Sequence, residues 1–249
     1  MCMFSRRVES VSHTKIFARA STGVRQYLVY SMNFRSKEEL AMILPIPVPT
    51  GTPDDAVKFI SLQEYSNFFT DMATGFPKPK APASKGPPSR GESLSLPKPL
   101  AVVSVGSFEA SFVPTIGDFS RLDERFRLPE ATWNALPAYR SFGFAVFKLK
   151  TGEQRVHPMA FEFPRANPAK LFFPTVHIHD GKVHARAEFD HTLYCQAPGK
   201  SLSMSGWNES PRLAGQFIRA ERAAGMVDPN DHCYERMMRG MLRNEDILV

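Results

Sequence analysis

The first fifty residues are patterned for strands. Residues 15–19 (KIFAR) and 26–32 (QYLVYSM) are dense in aromatic and β-branched side chains, and each predicts a short strand. Residues 39–44 (ELAMIL) predict a third, and Pro45, Pro47 and Pro49 place its end at an edge or an exit from the sheet. The period then changes. Leu62, Tyr65, Phe69 and Met72 recur at helical steps, Ser61 and Glu64 form a capping box, and Gly75 suits the residue just past a helix. This predicts a helix near 62–74.

Beyond residue 100 the apolar positions again read as strands. Residues 101–113 predict a strand pair or one bent strand, and residues 115–137 read as helical in pieces, with Pro129 suited to a first turn. Phe142, Phe144 and Val146 alternate with Gly143, Ala145 and Phe147, which predicts a strand apolar on both faces. Residues 156–163 and 171–179 continue the β pattern. Near the C-terminus, Ser210-Pro211 and Asp228-Pro229 look like N-cap-plus-proline helix starts, with Gly225 ending the first helix. Cys233, Met237 and Met241 recur every four residues, with Tyr234, Met238 and Leu242 beside them, and predict the second. The expected fold class is therefore α+β: a mainly antiparallel, Phe-rich sheet, a helix near 62–74 and a C-terminal helical hairpin, in a single domain spanning 1–249.

Residues 77–99 break every pattern. They hold seven prolines, so neither helix nor ladder forms easily, and the segment reads as a flexible loop or linker with polyproline II character. It also changes the meaning of the net charge. Lys78, Lys80, Lys85, Arg90 and Lys98 against Glu92 alone supply four of the six formal positive charges. The remainder is nearly balanced, which argues against a nucleic-acid-binding face. The segment is a candidate surface for a protein partner.

The length of 249 residues suffices for one large domain. Three cysteines exclude a disulfide scaffold and fit a reducing compartment, no apolar run is long enough to cross a membrane as a helix, and no signal peptide is visible. A cytoplasmic location is expected.

Cys2, Phe4, Ile16-Phe17-Ala18, Leu28-Val29-Tyr30 and Leu44-Pro45-Ile46-Pro47 mark a resemblance. Residues 1–76 resemble a bacterial family of unknown function whose mature chains begin with a Cys-Gly-Gly-Phe-Phe type start and run through a strand pair to a Leu-Pro-x-Pro motif. The Gly pair is lacking here. That resemblance implies a fold for the first segment and no activity. The extreme N-terminus, Met1-Cys2 followed by a strand carrying Arg19, is also similar to choloylglycine-type N-terminal-nucleophile hydrolases. Their Asp three residues beyond that Arg is replaced by Thr22.

Two constellations carry candidate chemistry. Asp180-Gly181 is a strong two-residue hairpin turn. With it as the loop, His184 pairs His177, and His177, His179 and His184 share one face beside Lys182 and Arg186. Three imidazoles so placed suit zinc or copper, with a fourth position open to water. The same face is equally an ordinary solvent face. The second constellation is Cys2. Removal of Met1 would leave a thiol and a free α-amine on one residue, an N-terminal-nucleophile arrangement. His191 is its candidate partner, because residues 183, 185, 187, 189, 191, 193 and 195 share a core face if the strand continues. A core histidine bonded to a carbonyl is the alternative.

The functional expectations are thus three: a transition-metal-binding protein or metal-dependent hydrolase using His177, His179 and His184; an N-terminal-cysteine amidohydrolase using Cys2 and His191; or a non-catalytic interaction protein presenting its Pro-rich segment.

Overall fold

The structure is a computed structural model that describes residues 2–76, 103–105, 108–149, 152–155, 157–178, 182–197 and 204–249. Residues 77–99, His179 and the Asp180-Gly181 turn lie outside the described residues.

Two sheets face each other across a phenylalanine-rich core. The first holds β1 (Cys2–Phe4), β4 (Leu40–Ile46), β6 (Val103–Val105), β7 (Phe108–Val113), β8 (Gly143–Leu149) and β12 (His177–Ile178), in the order β12-β1-β4-β8-β7-β6. The second holds β2 (Ser10–Ser21), β3 (Arg25–Ser36), β5 (Lys58–Ser61), β9 (Gly152–Arg155), β10 (Met159–Pro164), β13 (Arg186–Gln196), β14 (Asn208–Leu213) and β15 (His232–Arg243). Its order is β14-β15-β13-β2-β3-β10-β5, with β9 also pairing β3. A small ribbon joins β11 (Phe172–Phe173) to β16 (Ile247–Leu248). The α-helices among the described residues are α1 (Phe68–Thr74) and α2 (Glu130–Asn134), with short 3-10 segments around them. Strand pairs are antiparallel except β1 with β12 and β13 with β2, among the described residues. The coarse α+β expectation stands.

The inner faces of both sheets supply the main core: Met42, Leu44 and Phe147 from one, Ile16, Leu28 and Phe161 from the other. The outer faces are covered as well. Phe17, Val29, Tyr194 and Cys233 of the second sheet meet Phe68, Phe69 and Met72 of α1 and the stretch from Ala214 to Val227. Ala41, Ile43, Phe144 and Val146 of the first sheet meet Phe119, Trp133, Leu136 and Tyr139. A strand covered on both sides must be apolar on both sides. This is why β4 and β8 read as unbroken apolar runs rather than alternating ones. Pro45 is tolerated near the end of β4 because β1 pairs that strand only at Ile43 and Met42.

The helix expected near 62–74 is present as a 3-10 turn over Gln63–Tyr65 followed by α1. The expected C-terminal helical hairpin is not. Ser210-Pro211 lies inside β14, and Cys233, Met237 and Met241 lie on β15. A spacing of four is two full strand repeats, so it satisfies a strand as well as a helix. The strand separates the two sets: Met238 faces the main core with Tyr234 and Leu242 against it, while Met237 and Met241 are about half exposed, at 48% and 54%.

One half-buried histidine should make the fold acid-sensitive. His157, before β10, stacks on Phe108 at 4.5 Å, and burial holds its imidazole below the ordinary value of 6.5. The folded state disfavours the imidazolium, so stability is full above that value and is lost as pH falls through it. Urea midpoints at about pH 7.5 and about pH 5 should therefore fall further in the parent protein than in His157→Phe. Equal falls would remove His157 from the acid response.

Candidate functional site

β1 enters the first sheet beside β12, in parallel register, with Cys2 opposite His177 and Met3 opposite Ile178. β12 is short because the segment before it is held by the C-terminal stretch. Asn244 Oδ1 accepts the His177 amide at 2.7 Å, and its Nδ2 donates to the His177 and His184 carbonyls, each at 2.9 Å. Asp246 Oδ1 accepts the amides of Thr175 and Val176. These bonds set the height at which His177 meets the second sheet.

There its ring meets His191. The two Nε2 atoms lie 3.1 Å apart and the ring centroids 4.6 Å. At that separation one ring donates its proton to the other, so at least one of the two is neutral. Phe189 packs edge-on against His177, at 4.5 Å between centroids. His191 is fully buried. It occupies the core face of β13 with Phe189, Leu193 and Cys195, as the alternation of that strand predicts.

The second layer is polar. Asp190 Oδ1 stands 3.9 Å from His191 Nδ1, and its Oδ2 accepts the His13 amide. His13 has φ of 55°, and the β2–β3 register shifts between Ser12 and Lys15. A non-glycine residue in this region costs free energy that the surroundings must supply. The Asp190 carboxylate is one such source. Arg239 Nη2 donates to Thr192 Oγ1 at 3.2 Å, and its Nη1 donates to the His191 carbonyl.

Of the three imidazoles expected to converge, His177 and His184 are among the described residues. His184 lies exposed before β13 rather than across from His177, since β12 pairs β1 instead. His179 lies outside the described residues. Among the described residues no group of three or more His, Cys, Asp or Glu is placed to hold a metal ion. The site built by the fold is instead the couple of His177 and His191, formed across two sheets and beside the strand carrying Cys2. The sequence signal for it was a histidine on an otherwise apolar strand face; the second ring comes from a strand with no sequence link to it.

The other two cysteines are shielded from solvent. Burial pushes the Cys233 thiol up to about 12 and the Cys195 thiol higher still, and both are fully buried.

No protein-family model matches the chain, and no curated protein sequence matches it significantly. Solved structures do match. The fold is similar to that of baculovirus P35. A mutated baculovirus P35 described after caspase cleavage aligns over 95% of this chain and 99% of that one, with 13% identity and a TM-score of 0.52. Baculovirus P35 itself aligns over 97% and 96%, at 12% identity and a TM-score of 0.47. P35 in a caspase-8 complex aligns over 95% of both chains, at 12% and 0.47. At these identities the P35 likeness concerns architecture. No helix among the described residues is long and apolar enough to cross a membrane.

Proposed function

We propose that this chain is a non-catalytic interaction protein that presents residues 77–99 to a proteolytic enzyme. The observation that carries this reading is the sequence that the chain places between two described elements. Between α1, ending at Thr74, and the edge strand β6, beginning at Val103, it spends a basic segment with seven prolines. It does so in a fold similar to that of a protein described in its caspase-cleaved form. Proline-rich chain has less conformational entropy to lose on a partner than a glycine- and serine-rich one. The basic side chains favour a partner with an acidic cleft.

The test is a protease panel. A caspase, a papain-type cysteine protease and a trypsin-type serine protease are titrated with the chain, and residual peptidase activity is followed alongside the mass of any complex. One class should lose activity at an equimolar end point. A variant lacking residues 78–98 should not inhibit, and its melting temperature should stay close to the parent's because loop-length terms are small. Undiminished activity of all three enzymes, or full inhibition by the shortened chain, would sink the reading.

A second reading rests on Cys2 opposite His177, with His191 behind it. Here Cys2, freed of Met1, is an N-terminal nucleophile and the imidazole couple takes its proton. Intact mass should show loss of Met1, and iodoacetamide near neutral pH should label Cys2 well before Cys195 and Cys233, whose thiols burial keeps protonated. Retention of Met1 ends this reading. Elemental analysis of protein purified without a metal-affinity tag tests the zinc or copper alternative at His177, His179 and His184.

A further inference from the structure

A cavity of about 450 Å³ borders the C-terminal stretch at Asn244, Glu245, Asp246 and Leu248. Its walls come from the 135–142 turn over the first sheet, from the β11–β16 ribbon, and from the loop that follows β10. The walls are mainly apolar: Leu136, Tyr139, Phe142, Phe172, Val176 and Leu248. That size and character are those of small-molecule sites, which are apolar with a few placed polar groups.

The placed polar group is Arg165. It lines the cavity and is only 9% exposed. Its amide donates to the Val24 carbonyl and its Nη1 to the Lys170 carbonyl at 3.3 Å. Its Nε is buried with no hydrogen-bond partner, and among the described residues no carboxylate pairs with it. The two acids on the same wall are engaged elsewhere. Asp246 takes the Thr175 and Val176 amides and the Tyr139 hydroxyl, and Glu245 pairs with Arg243 at 3.7 Å. A cation this buried is costly unless an anion meets it. Burial alone already holds its guanidinium below the ordinary value.

We propose that this cavity binds a small monocarboxylate with an apolar body, the carboxylate meeting Arg165 and the body lying against Phe142, Phe172 and Leu248. A planar guanidinium fork matches a carboxylate in shape and hydrogen bonds. One buried cation neutralises one negative charge. The ligand's apolar part replaces water along the aromatic wall.

The probe is 4-phenylbutyrate, titrated calorimetrically into the full chain, with 4-phenylbutyramide and inorganic phosphate as comparisons. The carboxylate should bind at one per chain and raise the melting temperature, and the amide should bind about tenfold more weakly or worse. Arg165→Met should lose the carboxylate preference, so that acid and amide bind alike. Val183→Trp, at a cavity residue that is 40% exposed, should block both probes without disturbing the core. It keeps the test decisive where Arg165→Met fails to fold. Equal binding of acid and amide to the parent, phosphate binding as tightly as phenylbutyrate, undiminished binding to Val183→Trp, or no binding at all would each overturn the proposal.

Discussion

Phe147→Ala should destabilise the protein by about 3–5 kcal/mol, the usual cost of removing a fully buried phenyl ring. For a chain of this size that is a fall in melting temperature on the order of 10 °C. Phe147 is fully buried on β8 and meets three other rings edge-on or tilted: Phe59 at 5.7 Å, Phe108 at 5.6 Å and Phe161 at 5.9 Å. Phe108 belongs to its own sheet, whereas Phe59 and Phe161 belong to the opposite one. The ring therefore joins the two sheets at the centre of the core, and its removal leaves a hole lined by rigid aromatics that cannot collapse into it. The matching control is Met241→Ala. That side chain is 54% exposed on β15 and should change stability by less than about 0.5 kcal/mol. Urea unfolding of both variants checks the pair. A loss under about 1 kcal/mol at Phe147, or a core-sized loss at Met241, would contradict the sandwich.

The Met241 control also marks where the chain misleads a reader. Cys233, Met237 and Met241, with Tyr234, Met238 and Leu242, suit one wide helical stripe, yet each set is evenly spaced and equally suits one face of a strand. What decides between them is non-local. Ten consecutive residues of β13, from Arg186 to Cys195, pair with β15 from Arg243 to Tyr234, and nothing within residues 232–243 announces that partner. The first strands were legible because residues 15–19 and 26–32 are dense in aromatic and β-branched side chains, and the third because Pro45, Pro47 and Pro49 follow it. β8 was legible as a doubly apolar strand, and the covers over both sheets explain that composition. The candidate site was half legible. His191 stood out as a histidine on a core face. Its partner His177 was tied by sequence to a hairpin with His184, but β12 pairs β1 in parallel, a contact between residues far apart in the chain. Arg165 gave no signal at all, since an arginine after a strand is ordinary until its burial is seen.

The largest polar effect is expected at Asp246. Its carboxylate accepts the Thr175 amide at 2.8 Å, the Val176 amide at 3.1 Å and the Tyr139 hydroxyl at 2.7 Å. Tyr139 is buried, and burial together with the neighbouring Asp246 charge pushes its hydroxyl well above the ordinary value, so it stays a donor throughout the neutral range. Asp246→Ala leaves two amides and that hydroxyl without their acceptor. Each orphaned buried group costs about 1–3 kcal/mol, less whatever water recovers, so a loss of about 2–4 kcal/mol is expected. Asp246→Asn keeps one carbonyl oxygen for the two amides, and its NH₂ can donate to the tyrosine oxygen, so it should lose under about 1 kcal/mol. The contrast isolates the acceptor from the shape. Hydrogen exchange then locates the effect. Thr175 and Val176 lead directly into His177, so their amides should exchange faster in Asp246→Ala while those of β3 and β13 stay protected. Equal losses from Ala and Asn, or unchanged exchange at Thr175 and Val176, would mean that this carboxylate does not hold β12. Its loss should also misplace the imidazole couple, because the same stretch sets how far His177 reaches toward His191.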